Sequence, residues 1–152
     1  MMNIHLVTSV EQIMPLVKVY SHVFAQSPYN ENWATAESVA HFEEVLRNGR
    51  GICLFAEEDG EQIGLILSRF FVWHDGMRVF IEDLFVHPDH QKKGVGKKLV
   101  AALELAAREH KCVALDLLTQ KEADSVAFYE KQNFKPTGYI QMSKSITSLG
   151  MR

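Results

Sequence analysis

Residues 81–99 read IEDLFVHPDHQKKGVGKKL, and this stretch decides how the rest of the chain is interpreted. A mostly apolar segment ends at Val86, a loop with a proline follows over 87–93, and Gly94 and Gly96 open a new segment. The apolar residues of that segment repeat at helical spacing, so we expect a helix from about Gly94 to His110. The stretch therefore predicts a strand, a short loop and a glycine-opened helix.

The segments around this stretch predict a βαβ unit. Met77–Val86 precedes the helix, and Cys112–Leu118 is an apolar run short enough for a strand buried on both faces. A helix between the two strands makes them parallel neighbours. We expect the other strands at Ile4–Val7, Gly51–Glu57 and Gln62–Val72, the other helices at Val10–Phe24, Ala36–Arg47 and Ser125–Gln132, and a last extended segment at Phe134–Met142. The predicted fold is α/β (α+β), with a mixed, mostly antiparallel central sheet and helices on both faces.

Composition and charge narrow the classes of function. The 152 residues are 47% hydrophobic and 23% charged, without repeat or linker, so we expect one domain over 1–152 with a poorly ordered tail at 143–152. A net charge of −3 disfavours nucleic acid and anionic membranes as partners. Cys53 and Cys112 have no metal or redox spacing, and no targeting signal or membrane span is evident, so we expect free thiols in a cytoplasmic protein.

The glycine-rich loop favours an anion. Backbone N–H groups at the start of a helix attract phosphate, and Gly94 and Gly96 allow the backbone to approach it closely. Four lysines, at 92, 93, 97 and 98, add positive charge. The loop is neither a Walker A motif nor a dinucleotide fingerprint, because Lys98 and Leu99 replace required residues. On spacing alone, the alternative to an anion site is a helix start made flexible by its glycines, with the lysines hydrated on the surface.

The chain resembles the GNAT superfamily of N-acetyltransferases. Gln91-Lys-Lys-Gly-Val-Gly96 matches the pyrophosphate loop of that superfamily, which is Arg or Gln, two residues, Gly, one residue, and Gly or Ala. Ser125-Val-Ala-Phe-Tyr-Glu-Lys131 is similar to its penultimate helix. The resemblance implies a GNAT-like fold, acetyl-CoA as the cosubstrate with CoA as the product, and transfer of the acetyl group to a primary amine.

The resemblance also implies a set of residues that bind acetyl-CoA where the two parallel strands separate. Main-chain contacts to pantetheine would come from Leu84, Phe85 and Val86. The pyrophosphate would be bound by Gln91, Lys92, Lys93, Gly94, Val95 and Gly96, an outer phosphate by Lys97, and the remaining surface by Ser125 and Phe128. A fixed N–H donor near the thioester oxygen would stabilise the negative charge that develops there.

Glu82 and Asp83 are the candidate acidic residues of the reaction. An alkylamine has a pKa of about 10.4, so it must lose a proton before it attacks. We expect Glu82 to accept that proton, directly or through water, and Asp83 to hold a cationic acceptor. Strand alternation predicts that the two side chains lie on opposite faces. The alternative is that both are paired structurally, with Arg78 or a neighbouring basic residue.

Tyr129 is the candidate general acid. The resemblance implies that this phenol protonates the departing thiolate. The alternative is a purely structural role, with the tyrosine packed at the sheet edge. The resemblance also implies that the loop around Tyr29 and Trp33, with Glu31, borders the acceptor pocket. His87 and His90 are interpreted as surface residues, so no metal is expected.

Three questions stay open at this stage. The acceptor is expected to be small and cationic, but a protein N-terminus or lysine is an alternative. A non-catalytic module that senses acyl-CoA is another, and it would need neither Glu82 nor Tyr129. The resemblance allows a homodimer, and no nucleic acid or membrane partner is expected.

Overall fold

The computed structural model describes residues 1–47 and 50–147. Five strands form one sheet in the order β1-β2-β3-β4-β5, antiparallel except for the parallel pair β4 and β5. The strands are β1 Met2–Leu6, β2 Leu54–Glu58, β3 Glu61–Trp73, β4 Gly76–Val86 and β5 Ala114–Leu117. The helices are α1 Met14–Ala25, α2 Thr35–Arg47, α3 Val95–Glu109 and α4 Ser125–Glu130. This mixed, mostly antiparallel sheet confirms the predicted fold class.

Helices cover both faces of the sheet, and each face has its own apolar core. On one face α1 and α2 pack with Leu65, Leu67 and Phe85. On the other face α3 packs with Ile66, Val79 and Ile81. Alternation along β3 explains the division, because neighbouring residues of a strand point to opposite faces. Burial of these side chains stabilises each layer by about 1.5–3 kcal/mol for each fully buried large apolar residue.

A bulge interrupts β4 at the residues of greatest interest. Asp83 pairs with Leu67, but the next residue of β3, Ser68, pairs with Ile81, so Glu82 has no opposite partner. Such an extra residue breaks the alternation of the strand. Asp83 faces the α1 and α2 layer through His41, and Glu82 reaches Arg69 on the same face. The prediction that the two carboxylates lie on opposite faces is therefore wrong.

The last extended segment is also not a strand. No strand is assigned over 134–142, and the side chains of Tyr139, Ile140 and Met142 are exposed. Pro136 lacks the N–H that a strand pair needs, and Gly138 weakens the extended conformation. The sheet of the described chain therefore ends at β5.

The predicted tail is only partly described. Residues 143–147 are exposed and have no regular structure, and the rest of the predicted tail, 148–152, lies outside the described residues.

Within the described ranges, no helix is both long and apolar enough to cross a membrane. Cys53 is buried and Cys112 is half-buried, and neither is in a disulfide.

Candidate active site

The loop between β4 and α3 exposes the start of a long helix. Gly94, the residue before α3, has a positive φ of 85°, and a Cβ placed there would meet no atom within 4 Å. Gln91, Lys92, Lys93 and Lys97 are exposed around it, whereas Val95 is buried and anchors the helix. The first N–H groups of a helix have no partner within the helix. Donors, positive charge and free space therefore coincide, and this combination fits a pyrophosphate group.

The end of β4 lies beside this helix start and beyond the reach of β5. Pairing of the two parallel strands stops at Ile81 and Leu117, while β4 continues to Val86. Five residues of β4 therefore extend beyond the pairing with β5, at the place where the resemblance implied that the two strands separate. Nε2 of Gln91 donates a hydrogen bond of 3.0 Å to the Val86 carbonyl oxygen, which ties the loop to the strand end.

Helix α4 closes the opposite side of the gap between the strands. A Cβ built on Gly96 would lie 3.2 Å from Cζ of Phe128, so a larger residue there would crowd this ring and glycine favours the close approach of α3 and α4. The Tyr129 ring packs edge-on against Phe128, with 5.0 Å between centroids, and against Phe134, with 5.3 Å. This aromatic packing fixes the position of the candidate acid.

The Tyr129 hydroxyl carries its proton at neutral pH. Burial raises the pKa of Tyr129 above its ordinary value, and the nearby Tyr29 and Asp83 raise it further. The phenol therefore stays protonated across the neutral range. No residue of the described chain forms a hydrogen bond with this hydroxyl.

A cleft of about 350 Å³ opens next to the glycine loop. The Tyr29 hydroxyl donates to Oγ of Ser125 at 3.4 Å, and Oγ of Ser125 is 2.5 Å from the Thr119 hydroxyl. The lining residues are His22, Val23, Gln26, Ser27, Pro28, Tyr29, Pro88, Gln91, Ala123, Asp124 and Ser125. Tyr29 from the acceptor set thus shares one cleft with Gln91 and Ser125 from the acetyl-CoA set.

Glu82 is paired in this structure. Its carboxylate forms an ion pair with Nε of Arg69, whose guanidinium lies over the rings of Phe80 and Phe71 at 4.9 and 5.7 Å. Arg78, the partner considered from the sequence, instead binds Asp116 at 2.7 Å and Asp75 at 2.5 Å. The structural pairing of Glu82 is thus present, with a neighbouring arginine.

Asp83 is buried, and its partner comes from α2. Oδ2 of Asp83 lies 2.5 Å from Nε2 of His41, and the Tyr20 hydroxyl interacts with the same carboxylate. Burial raises the pKa of Asp83, and the hydrogen bond to Asp83 raises the pKa of His41. The pair therefore holds a proton more tightly than the separate side chains would. In this arrangement the Asp83 carboxylate is engaged by His41 and not presented to an acceptor.

An aromatic shell surrounds the pair. The ring of Tyr20 is 5.1 Å from Trp33, 5.8 Å from His41 and 5.4 Å from Phe85, measured between centroids. Nε1 of Trp33 donates to Glu31 at 2.8 Å. Trp33 therefore lies beside His41 and is not among the residues that line the 350 Å³ cleft.

Sequence reasoning missed His41 and the role of Tyr20. His41 stands in a helix beside buried Phe42, with no motif around it, and Tyr20 falls in the segment Val10–Phe24, which was predicted only as a helix. The signal that relates them is tertiary, because Asp83 is distant from both in sequence. A further group that needed the fold is Glu61, whose carboxylate lies near His87 and His90, with ligand atoms within 4.8 Å of one another.

A helix start that could hold a phosphate, a strand edge left free by its neighbour and a protonated phenol are the features expected of acyltransferases that use a coenzyme A thioester. Residues 17–134 match the family described as the acetyltransferase (GNAT) family, and the chain belongs to that family. It is an acetyl-CoA-dependent N-acetyltransferase.

Two similar relatives act on different amines according to their names. The chain is 33% identical over 100 residues to the L-amino acid N-acyltransferase of Escherichia coli, and this alignment covers 62% of this chain and 56% of that protein. It is 35% identical over 80 residues to the glucosamine 6-phosphate N-acetyltransferase of Schizosaccharomyces pombe, covering 53% of this chain and 69% of that one.

A solved structure supports the fold. A possible acetyltransferase from Clostridium difficile superposes with a TM-score of 0.82, covering 96% of this chain and 98% of the other at 14% identity. At that identity the likeness concerns the fold alone.

Proposed function

We propose that this enzyme transfers the acetyl group of acetyl-CoA to a primary amine of a small acceptor, which enters as an ammonium cation. The separation of β4 from β5 next to the start of α3 carries the proposal, because it places a free strand edge beside a helix start. The names of the two relatives support a small amine, an amino acid or an amino sugar. We propose that residues 1–152 form one catalytic domain.

Binding of acetyl-CoA is assigned to the residues around the separated strands, and the bound molecule supplies an activated thioester. The N–H groups and side chains of Gln91 to Gly96 would bind the pyrophosphate, with Lys92, Lys93 and Lys97 providing charge. The backbone of Leu84, Phe85 and Val86 would pair with the extended chain of the cosubstrate. Ser125 and Phe128 would complete the wall on the α4 side.

Tyr129 is assigned to protonation of the leaving thiolate. Its phenol is held by Phe128 and Phe134 and remains protonated at neutral pH, since burial raises its pKa. A positioned proton donor contributes about 10²- to 10⁴-fold to such a step.

The acceptor is assigned to the surface around Glu82 and His41, with Trp33 and Tyr29 at its border. Glu82 keeps one carboxylate oxygen, Oε2, without a partner among the described residues, and this oxygen can attract an ammonium group or hold a water. Asp83 acts on the acceptor through His41, and Trp33 packs against that histidine. The acceptor pocket would thus combine an aromatic wall with negative charge.

Transfer is proposed to be direct, without an acylated cysteine. Burial raises the pKa of the Cys53 thiol to about 11, which leaves little thiolate at neutral pH. Cys112 does not line the cleft that holds Tyr29 and Ser125. A direct reaction gains from holding both reactants in one orientation.

Release of free CoA thiol, measured against amines, tests the proposal. The panel would contain L-amino acids, amino sugars, polyamines, aminoglycosides and short peptides, with an amine-free control. We expect thiol release that depends on one of the small amines. Release with peptides alone would transfer the assignment to a protein N-terminus or lysine, and tight acetyl-CoA binding without any release would indicate a sensor.

A further inference from the structure

The His41–Asp83 pair is a built feature that the roles above leave unexplained. Asp83 is only 9% exposed, and burying a carboxylate is costly unless a partner compensates it. The bulge in β4 turns this carboxylate towards α2, where Nε2 of His41 lies 2.5 Å from Oδ2 of Asp83. A histidine oriented by a buried carboxylate is the arrangement in which one ring nitrogen is fixed and the other is available.

The second ring nitrogen of His41 is open to solvent. The side chain of His41 is 25% exposed, and Nδ1 has no hydrogen-bond partner among the described residues. Over the same residues, the only buried side-chain nitrogen or oxygen without a partner is Oε1 of Gln62. Nδ1 is therefore reachable from outside while Nε2 donates to Asp83.

His41 also lies at the end of the sheet where β4 extends beyond β5. Ile81 is the last residue of β4 that pairs with β5. Asp83 lies two residues further along β4, where β4 no longer has β5 as a neighbour. The charge of Asp83 is close enough to Tyr129 to influence its titration. The pair and the candidate acid therefore border the same gap from different elements, α2 and α4.

The electrostatic surroundings of His41 are mainly acidic. Asp83 and Glu82 of β4 and Glu44 of α2 raise its pKa, the Tyr20 hydroxyl of α1 interacts with Asp83, Glu31 acts on Tyr20, and Arg69 of β3 is bound to Glu82. Negative charge near an imidazole favours its protonated form. His41 is thus a proton acceptor near the gap that also reaches solvent.

We propose that His41 accepts the proton that the acceptor's ammonium group loses before attack, with Asp83 as its positioning residue. The inference rests on the proposed acetyl transfer and replaces Glu82 as the proton acceptor. An N–H bond of the ammonium breaks and an N–H bond to Nδ1 forms. The free electron pair forms the C–N bond while the C–S bond breaks, the thiolate takes the Tyr129 proton, and the acylated nitrogen returns one proton to Tyr129. The imidazolium then releases its proton to solvent.

The pH dependence of kcat/KM tests this assignment. His41 acts as a base only when neutral, so activity should rise with pH through its titration. His41→Gln should lose about 10²- to 10⁴-fold in kcat and lose the acidic limb of the profile. Asp83→Asn should move the limb to lower pH, because it removes the charge that favours the imidazolium. His74→Gln, an exposed histidine in the turn before β4, is the matched control and should leave the profile unchanged.

A measurement that needs no turnover separates this inference from the proposed function. In the intact protein, the His41 ring can be titrated by NMR and assigned by comparison with His41→Gln. We expect its apparent pKa above the ordinary value of 6.5, and a fall in Asp83→Asn.

Three outcomes would overturn the inference in distinguishable ways. If Glu82→Gln removes the acidic limb and His41→Gln keeps it, Glu82 is the proton acceptor and acetyl transfer stands. If the His41 ring titrates at its ordinary value in the intact protein, the pair is not formed as described. If the unaltered protein releases no thiol with any amine, the proposed function fails and this role fails with it.

Discussion

At the scale of single residues, the site depends on side chains whose surroundings change their chemistry. The Tyr129 phenol, enclosed by aromatic rings, keeps its proton where an exposed tyrosine would begin to titrate. Asp83 loses most of its contact with water and gains His41 in exchange. Both residues were candidates from the sequence, but the side chains around them determine how tightly they hold a proton.

Removal of the Tyr129 hydroxyl tests its assigned role. Tyr129→Phe keeps the ring contacts and should lower kcat by about 10²- to 10⁴-fold, because only the proton donor is lost. The affinity for acetyl-CoA, measured by calorimetry, should stay unchanged. Tyr139→Phe, which alters a tyrosine that is 78% exposed, provides the control. Equal activity of Tyr129→Phe and the unaltered enzyme would support the packing role that the sequence left open.

A second residue-scale prediction concerns Gly51, which packs directly against the backbone of β3. A Cβ on Gly51 would lie 1.9 Å from the Ser68 carbonyl oxygen, so the strand would have to move. Gly51→Ala should lower the free energy of unfolding by about 3 kcal/mol or more, measured with urea. Gly138→Ala, at a glycine with nothing within 4 Å of the added carbon, should change it by about 0.5 kcal/mol or less.

At the scale of elements, the site is made by strands and helices that end in the right places. β5 is only four residues long, so the last five residues of β4 are left free beside the start of α3. Gly96 lets α4 approach α3. The gap is therefore a consequence of unequal strand lengths and one small residue at a helix contact.

The glycine at the start of α3 provides the element-scale prediction. Gly94→Ala places a side chain at a φ of 85° and in the space assigned to pyrophosphate, so acetyl-CoA affinity should fall by about tenfold or more. Gly60→Ala is the matched control, because Gly60 has a φ of 80°, equal free space and a position in the β2–β3 turn, outside the residues assigned to pyrophosphate. Both should lose similar stability, and only Gly94→Ala should lose affinity. Equal affinity in the two variants would exclude this loop as the pyrophosphate site.

At the scale of the whole molecule, the His41–Asp83 pair links α2 to the sheet and makes stability depend on pH. The pKa of His41 is raised in the folded state by its hydrogen bond to Asp83. A raised folded-state pKa gives stability that is present below the unfolded value and lost as pH rises through the folded one.

The free energy of unfolding should therefore fall as pH rises above about 6.5, the ordinary value for histidine, with a slope of at most about 1.4 kcal/mol per pH unit for one proton. Urea unfolding at a series of pH values measures this slope. In Asp83→Asn the slope should be strongly reduced, whereas His74→Gln should retain it. A slope of the same size in Asp83→Asn would assign the proton to another group.

Much of the fold followed from local patterns. The glycine loop, the helix after it and the two parallel strands were predicted because turn chemistry and hydrophobic periodicity depend on neighbouring residues. The segment Phe134–Met142 was mistaken for a strand because its apolar residues resembled one, although Pro136 and Gly138 oppose pairing.

The sequence by itself determined the class of enzyme and predicted the loop that we assign to acetyl-CoA, since residues 81–99 and Ser125–Lys131 carry the motifs of the family. Only the tertiary structure decided which way Glu82 and Asp83 point and what they contact. A bulge is set by the register between two strands, and the His41 contact joins residues 42 positions apart. Such non-local geometry leaves no periodic signal in the chain, because it arises when separately formed elements pack together.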